Sequence, residues 1–228
     1  MTLRDYLYHE EDGITLYCGD ARMLLPMIEQ PDTCITDPVW PNSVFPGVAD
    51  PAGLFADTAK LLMVARLVVH LGCTSDPRFL AGVPAHLPAL RTCWLRYACP
   101  SYRGRILIGS DVAYAFGEAP SSRPGRQLLS GEVVARNNTS KLQNTGRGEG
   151  SSEGVEYQDL PHPAPRRLEH VVWLCNLFSD GGVIDPFAGT GTTLEAAKLL
   201  GLRAIGIEIE ERYCAIAKRR LAQGVLPL

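Results

Sequence analysis

No stretch of this 228-residue chain is both long and apolar enough to cross a bilayer. The richest run, LLMVARLVVHLG, is short and carries Arg66 and His70. The first residues, MTLRDYLYHEEDG, are too polar for a secretory leader, so a cytoplasmic location is expected. The seven cysteines include no CxxC pair, and the five histidines do not cluster with them. That spacing argues against structural zinc, and no metal is expected. An odd set of thiols suits small buried apolar residues in a reducing compartment. No internal repeat is present. What the chain does have is apolar residues for one sizeable core, at 46% of its length.

The net charge of −3 is also small, but it is unevenly spread. Residues 91–147 hold nine Lys/Arg and three Asp/Glu, a balance of +6, against −9 for the remainder. A basic segment set in an acidic body suits contact with a polyanion; a solvated loop region would have the same composition.

Strand and helix patterns alternate. GITLYCGD, TCITD, ARLVVHLG, GGVIDPF and RAIGIEI read as buried strands, and LRTCWLRYA with GRILIGSDVAYAFGEA as two more joined by a turn. ARMLLPMIEQ is a helical turn broken at Pro26. Residues 50–65 read as a helix capped by Asp50 with Pro51 in its first turn. RLEHVVWLCNLFS, TTLEAAKLLG and EERYCAIAKRRLAQ read as amphipathic helices. A mainly parallel sheet covered by helices follows, as one domain over 1–228. From Pro120 to Pro165 the periodicity fails, and this 120–160 insert is rich in Gly, Ser, Asn and Arg. Long loops of that kind are often functional.

The most informative stretch is VIDPFAGTGTTLEAAKLLGLRAIGIEIEERY. A strand ends at Asp185, Gly189 and Gly191 allow a tight turn and close approach of a ligand, and a helix begins near Thr192 with its first amides free. A second strand ends at Glu208, 19 residues after Gly189, where a carboxylate can accept both hydroxyls of a ribose. The third glycine of a dinucleotide fingerprint is missing, since Leu194 stands there. A dinucleotide site and an ordinary strand–turn–helix unit both remain open on spacing alone.

DPFAGTGTT followed by GIEIEERYCAIA resembles the cofactor motifs of the S-adenosylmethionine-dependent amino-group DNA methyltransferases. The likeness is close over 181–220 and weaker at ITLYCGD and CITDPVW. It implies a Rossmann-like sheet of seven strands, one antiparallel. It also implies that Asp185, Phe187, Ala188, Gly189, Gly191 and Thr192 surround the cofactor, that Glu208 holds its ribose, and that Asp20 lies near its adenine. HPAPRRLE is similar to the segment preceding the cofactor strand; His162 and Pro163 match, while Ala164, Pro165 and Arg166 depart.

The same family carries Asp, Asn or Ser, then Pro-Pro-aromatic, at its chemical centre. DPVW matches at Asp37, Pro38 and Trp40 and departs at Val39. The chemistry explains the pattern. An exocyclic amine is a poor nucleophile because its lone pair is delocalised into the base. Asp37 and the Pro38 carbonyl can each accept one amine hydrogen, favouring a pyramidal nitrogen, and Trp40 can stack on a base flipped from the duplex. The order, with DPVW before the cofactor motif, resembles permuted members whose target-recognition segment lies between the two. Here that is the insert, where Arg123, Arg126, Arg136 and Lys141 would meet phosphates and Asn137 and Asn138 would read base edges of double-stranded DNA. The resemblance favours adenine N6, because Asp stands first where cytosine N4 enzymes have Ser. A cytosine N4 enzyme, an RNA or protein-glutamine methyltransferase, and a catalytically silent DNA-binding homologue are the alternatives. A homodimer would enlarge the footprint of so short an insert.

Overall fold

The structure is a computed structural model that describes residues 2–42, 45, 47–122, 130–135 and 166–222. Among these residues nine strands form one sheet: β1 (Leu7–Glu11), β2 (Ile14–Cys18), β3 (Thr33–Thr36), β4 (Arg66–Gly72), β5 (Ala89–Arg103), β6 (Ile106–Gly117), β7 (Glu132–Ala135), β8 (Gly182–Asp185) and β9 (Arg203–Glu208). Their spatial order is β1-β2-β9-β8-β3-β4-β6-β5-β7. From β2 to β5 this is the expected seven-stranded sheet, with β6 alone reversed. The strand count nevertheless exceeds the expected seven, because an edge strand is added on each side. β1 pairs antiparallel with β2, and β7 pairs parallel with β5. Both additions are short, as edges are when they must not recruit another chain, and β1 is largely polar.

Side chains alternate across the buried strands and build two cores. Ile35, Val68 and Val183 face α3 (Leu168–Phe178), α4 (Thr192–Leu199) and α5 (Glu211–Ala222), through Leu174, Phe178, Leu194, Ala217 and Leu221. Cys34, Leu67, Val69 and Ile184 face the other way. They meet α1 (Ala21–Leu24), α2 (Pro51–Ala59) and a 3-10 turn at 77–82, through Leu24, Phe55 and Phe79. The central strands are buried on both faces, which is why they read as continuous apolar runs.

Two helices end where local chemistry directs. Pro26 converts the turn after α1 into 3-10 geometry. The Asp50 side chain accepts the Gly53 N–H at 2.9 Å and caps α2 as expected. α2 stops at Ala59, short of the expected residue 65. Leu62 and Val64 are still buried, but from an extended link into β4.

The register sets one further feature. β4 ends at Gly72, which pairs with Asp111 of β6, yet β5 and β6 continue through Ser101–Ile108, Tyr102–Leu107 and Arg103–Ile106. A two-stranded arm therefore overhangs the carboxyl edge of the parallel strands, with Tyr102 (67%), Ile106 (59%) and Leu107 (53%) exposed. No helix among the described residues is long and apolar enough to cross a membrane.

Candidate active site

The two motif-bearing strands lie side by side. β3 and β8 pair in parallel at Thr33–Val183 and Cys34–Ile184, so Asp37 and Asp185 leave the same edge of the sheet. The Thr36 hydroxyl donates to Asp185 Oδ1 at 2.7 Å and ties the two tips together. Residues 149 positions apart thus share one crevice at the carboxyl ends of the strands, where open α/β sheets bind ligands.

A cavity of about 420 Å³ opens at that edge, bordered by Asp20, Asp37, Phe45, Phe187, Gly189 and Glu208. Asp20 caps α1 by accepting the Arg22 N–H at 2.9 Å, and its ion pair with Arg22 holds its carboxyl below the usual range. Glu208 is buried, and burial raises its carboxyl, opposed by two amides. Gly189 donates its N–H to Oε2 at 2.8 Å and Glu210 donates to Oε1 at 2.8 Å. Each oxygen can accept a second hydrogen bond, and Glu208 borders the cavity. Gly189 has φ of 53°, which only glycine adopts without strain.

The glycine turn is only partly a ligand surface. Gly191 does not border the cavity: a Cβ there would stand 2.8 Å from Ala217 Cβ on α5. Close approach of a helix thus accounts for a glycine at 191. Arg220 of α5 reinforces this side by donating to the Thr190 carbonyl at 3.0 Å and the Thr192 hydroxyl at 3.1 Å. Asp185, Ala188 and Thr192 border a second, smaller cavity of about 40 Å³ behind the turn, which Asp37, Phe187 and Gly189 also border. Asp185 is enclosed there, and burial pushes its carboxyl up to about 6, although Thr193, Thr36 and the Phe187 amide bond to it.

Asp37 stands where the two cavities meet. Pro38 is buried and Val39 borders the larger cavity. The Trp40 indole N–H donates to Asp37 Oδ1 at 3.1 Å, so the aromatic ring and the carboxylate form one unit. No residue from 37 to 40 has positive φ, so the turn closes without left-handed backbone despite Val39.

Four residues outside the expected site complete it. Arg166 donates from Nε to Asp37 Oδ2 at 2.6 Å and from Nη2 to Oδ1 at 2.9 Å. Its guanidinium lies over the Trp40 ring, 4.5 Å from the centroid. Nη1 reaches Asp111 Oδ2 at 3.2 Å, which His70 Nε2 also approaches at 3.3 Å. Burial alone would lower the Arg166 pKa; Asp37 and Asp111 reverse that and keep it charged. Asp111 is deeply buried, yet His70 and Arg166 hold it well below the ordinary carboxylate range. His170 donates from Nε2 to the Arg96 carbonyl at 3.0 Å, which leaves Nδ1 unprotonated and without a partner among the described residues. Burial pushes this imidazole down to about 4. His70, Asp111 and His170 place ligand-type atoms within 4.8 Å of one another. Arg166 already fills one side of Asp111, however, and a guanidinium there repels a divalent cation, so we assign Asp111, His70 and Arg166 to a polar network, with the His170 ring 6.4 Å from that of His70. Sequence carried a faint signal for these residues: Asp111 is the one acid in an otherwise apolar or small strand, and Arg166 keeps a cation in the segment that departs from the family pattern.

Arg123, Arg126, Arg136, Asn137, Asn138 and Lys141 lie outside the described residues.

Fold and site define a class: an α/β protein with a crevice of small-molecule size beside an acid–proline–aromatic turn. A family profile described as DNA methylase matches residues 36–219. The chain belongs to this family, the amino-group DNA methyltransferases. It is 39% identical over 64 residues to the type II methyltransferase M2.LlaDCHI of Lactococcus lactis subsp. cremoris, a match covering 28% of this chain and 24% of the relative. It is 33% identical over 130 residues to the orphan methyltransferase M.BamHII of Bacillus amyloliquefaciens, covering 55% and 46%. The matches thus span less than half the length of these relatives. In fold the chain is similar to M1.HpyAVI, solved as a complex with SAM, with a TM-score of 0.65 at 20% identity over 92% of this chain and 99% of that one.

Proposed function

We propose that this chain transfers a methyl group from S-adenosylmethionine to the N6 amine of adenine in double-stranded DNA. The observation that carries the reading is the junction at Asp37. One carboxylate borders the larger cavity and also holds the indole on which a base would stack.

The cavity residues fit the cofactor. Asp20 and Glu208 offer acceptors on the wall, Phe45 and Phe187 offer apolar faces, and about 420 Å³ is an ordinary ligand volume. Glu208, fixed by two amides, is poised to accept ribose hydroxyls. When bound, the cofactor supplies an electrophilic methyl group on a sulfonium. The chain's part is orientation. Asp37 accepts one amine hydrogen and the Pro38 carbonyl the other, which localises the nitrogen lone pair. Trp40 stacks on the flipped base, returning roughly 1–3 kcal/mol of the unstacking cost. As the new N–C bond forms, the methyl–sulfur bond would break to leave a neutral thioether, the amine would release one proton, and Asp37 is the acceptor in place. Asp at position 37 supports adenine over cytosine.

The overhanging arm supports a DNA partner. It lies on the carboxyl side of the sheet, it is a two-stranded ribbon of the width a major groove admits, and Arg105 is exposed beside its apolar residues. In this reading residues 1–228 act as one catalytic domain, and the 120–160 segment adds DNA contacts. The test is incubation of the protein with tritiated cofactor and unmethylated phage DNA, then nucleoside analysis. N6-methyladenine is the expected product. Label in N4-methylcytosine would move the assignment to cytosine, and cofactor binding without transfer would favour the silent homologue.

A further inference from the structure

Asp37 and Trp40 are not open to a base in this structure, because Arg166 is on both. Resting on the proposed function, we infer that Arg166 holds the seat of the flipped base in the free enzyme, and that Asp111 takes up its charge when a base enters. The guanidinium reproduces what the substrate would present: a planar π-system over the Trp40 ring and N–H donors aimed at the Asp37 carboxylate. Both Asp37 oxygens are engaged, Oδ2 by Arg166 Nε and Oδ1 by Arg166 Nη2 and the Trp40 indole. A base and the Arg166 guanidinium cannot stack on the same face of Trp40 together, and a base amine would compete at Asp37 with three N–H donors already there.

Departure from Asp37 does not strand a buried charge. Arg166 already bonds Asp111 through Nη1, and Asp111 is buried with His70 against it. Two carboxylates face one guanidinium, so the cation always has a partner, while Asp37 is released to meet the amine. Arg166 also sits outside a helix, one residue before Arg167, the N-cap of α3. Arg167 is pinned over the Tyr97 ring at 4.1 Å, so the side chain before it can swing while the helix start stays fixed. Held in place, Arg166 keeps the catalytic carboxylate oriented and shielded until the correct partner displaces it. The occupant of the seat is thus chosen by competition, and a base that offers no N–H to Asp37 displaces Arg166 poorly.

The test uses the wild type to map the methylated adenine, then a duplex that keeps this adenine and carries 2-aminopurine beside it, whose fluorescence rises when its neighbour leaves the stack. Arg166→Gln and Arg166→Ala are expected to reach half-maximal fluorescence at about tenfold less enzyme, the equivalent of one charge-assisted hydrogen bond no longer displaced. Asp111→Asn is expected to need more enzyme than wild type, because Arg166 loses its second anchor. S-adenosylmethionine affinity should stay at the wild-type value in all three. A second readout is taken on the wild type, with a substituted protein used only for assignment. In wild type, the Arg166 Nε–H proton resonance, assigned with Arg166→Lys, should move upfield when the duplex is added, as its carboxylate partner is lost. Unchanged or weaker flipping in both Arg166 variants with intact cofactor binding overturns the inference, as does an Nε–H resonance that stays fixed in the DNA complex. A wild type that methylates no DNA overturns the proposed function and this inference with it.

Discussion

Asp185→Asn isolates one large electrostatic strain in this fold. In the native chain the Asp185 carboxyl titrates at about 6, mainly because burial disfavours its charge. In the unfolded chain it returns to about 3.9. Between those values the native state holds a proton that the unfolded state has lost, so stability falls as pH rises from about 4 to about 6 and is then level. The shift of about two units corresponds to about 3 kcal/mol of destabilisation above pH 6. An asparagine keeps an Oδ1 acceptor for the Thr36 hydroxyl at 2.7 Å and the Phe187 amide at 3.1 Å, but those bonds weaken once the acceptor is neutral. Asp185→Asn should therefore be more stable than wild type by about 2 kcal/mol near pH 8 and about equal near pH 4. Urea denaturation at both pH values gives the difference directly, and subtraction cancels every other titrating group. A variant no more stable than wild type near pH 8 would refute the claim that Asp185 is held ionised at a cost.

Other substitutions probe separate parts of the site. Glu208→Ala removes the acceptor of the Gly189 and Glu210 amides and the proposed ribose acceptor, so calorimetry should show S-adenosylmethionine affinity down by at least about tenfold. Gly191→Ala brings a Cβ to 2.8 Å from Ala217 Cβ at φ of 82° and should cost about 2–3 kcal/mol of stability. Gly104→Ala, at φ of 58° with nothing within 4 Å, should cost only about 1–2 kcal/mol, and paired thermal melts separate the two. Tyr102→Ala with Ile106→Ser on the arm should weaken DNA binding and leave cofactor binding unchanged, while Arg105→Ala should reduce the salt slope of binding by about one. An unaltered gel-shift titration for the arm variants would remove that surface from the DNA interface.

The sequence exposed the centre of the sheet and concealed its margins. TCIT and GVID are fully buried, so their apolar runs ended visibly at Asp37 and Asp185. LYHEE and EVVA carry only one buried residue between them, and an edge strand without a buried face has no period-two signal to read. The packing role of Gly191 was hidden because a tight turn and a close helix demand the same residue; only the position of Ala217 reveals the second. The network around Asp37 was hidden for a different reason. Arg166 and Asp111 are 55 residues apart, and what joins them is the crossing of β6, β3 and the lead-in to α3 at one sheet edge. Charge partners chosen by tertiary contact leave no spacing rule in the chain.

The central claim is that Asp37, at the tip of β3, works on an amine delivered beside the Gly189–Glu208 cavity. The direct measurement is transfer of tritiated methyl groups to unmethylated phage DNA by wild type and Asp37→Ala, with cofactor affinity measured on both. The account predicts labelled N6-methyladenine from wild type, transfer reduced by at least about a hundredfold in the variant, and unchanged cofactor affinity. Equal transfer by the two proteins would contradict it.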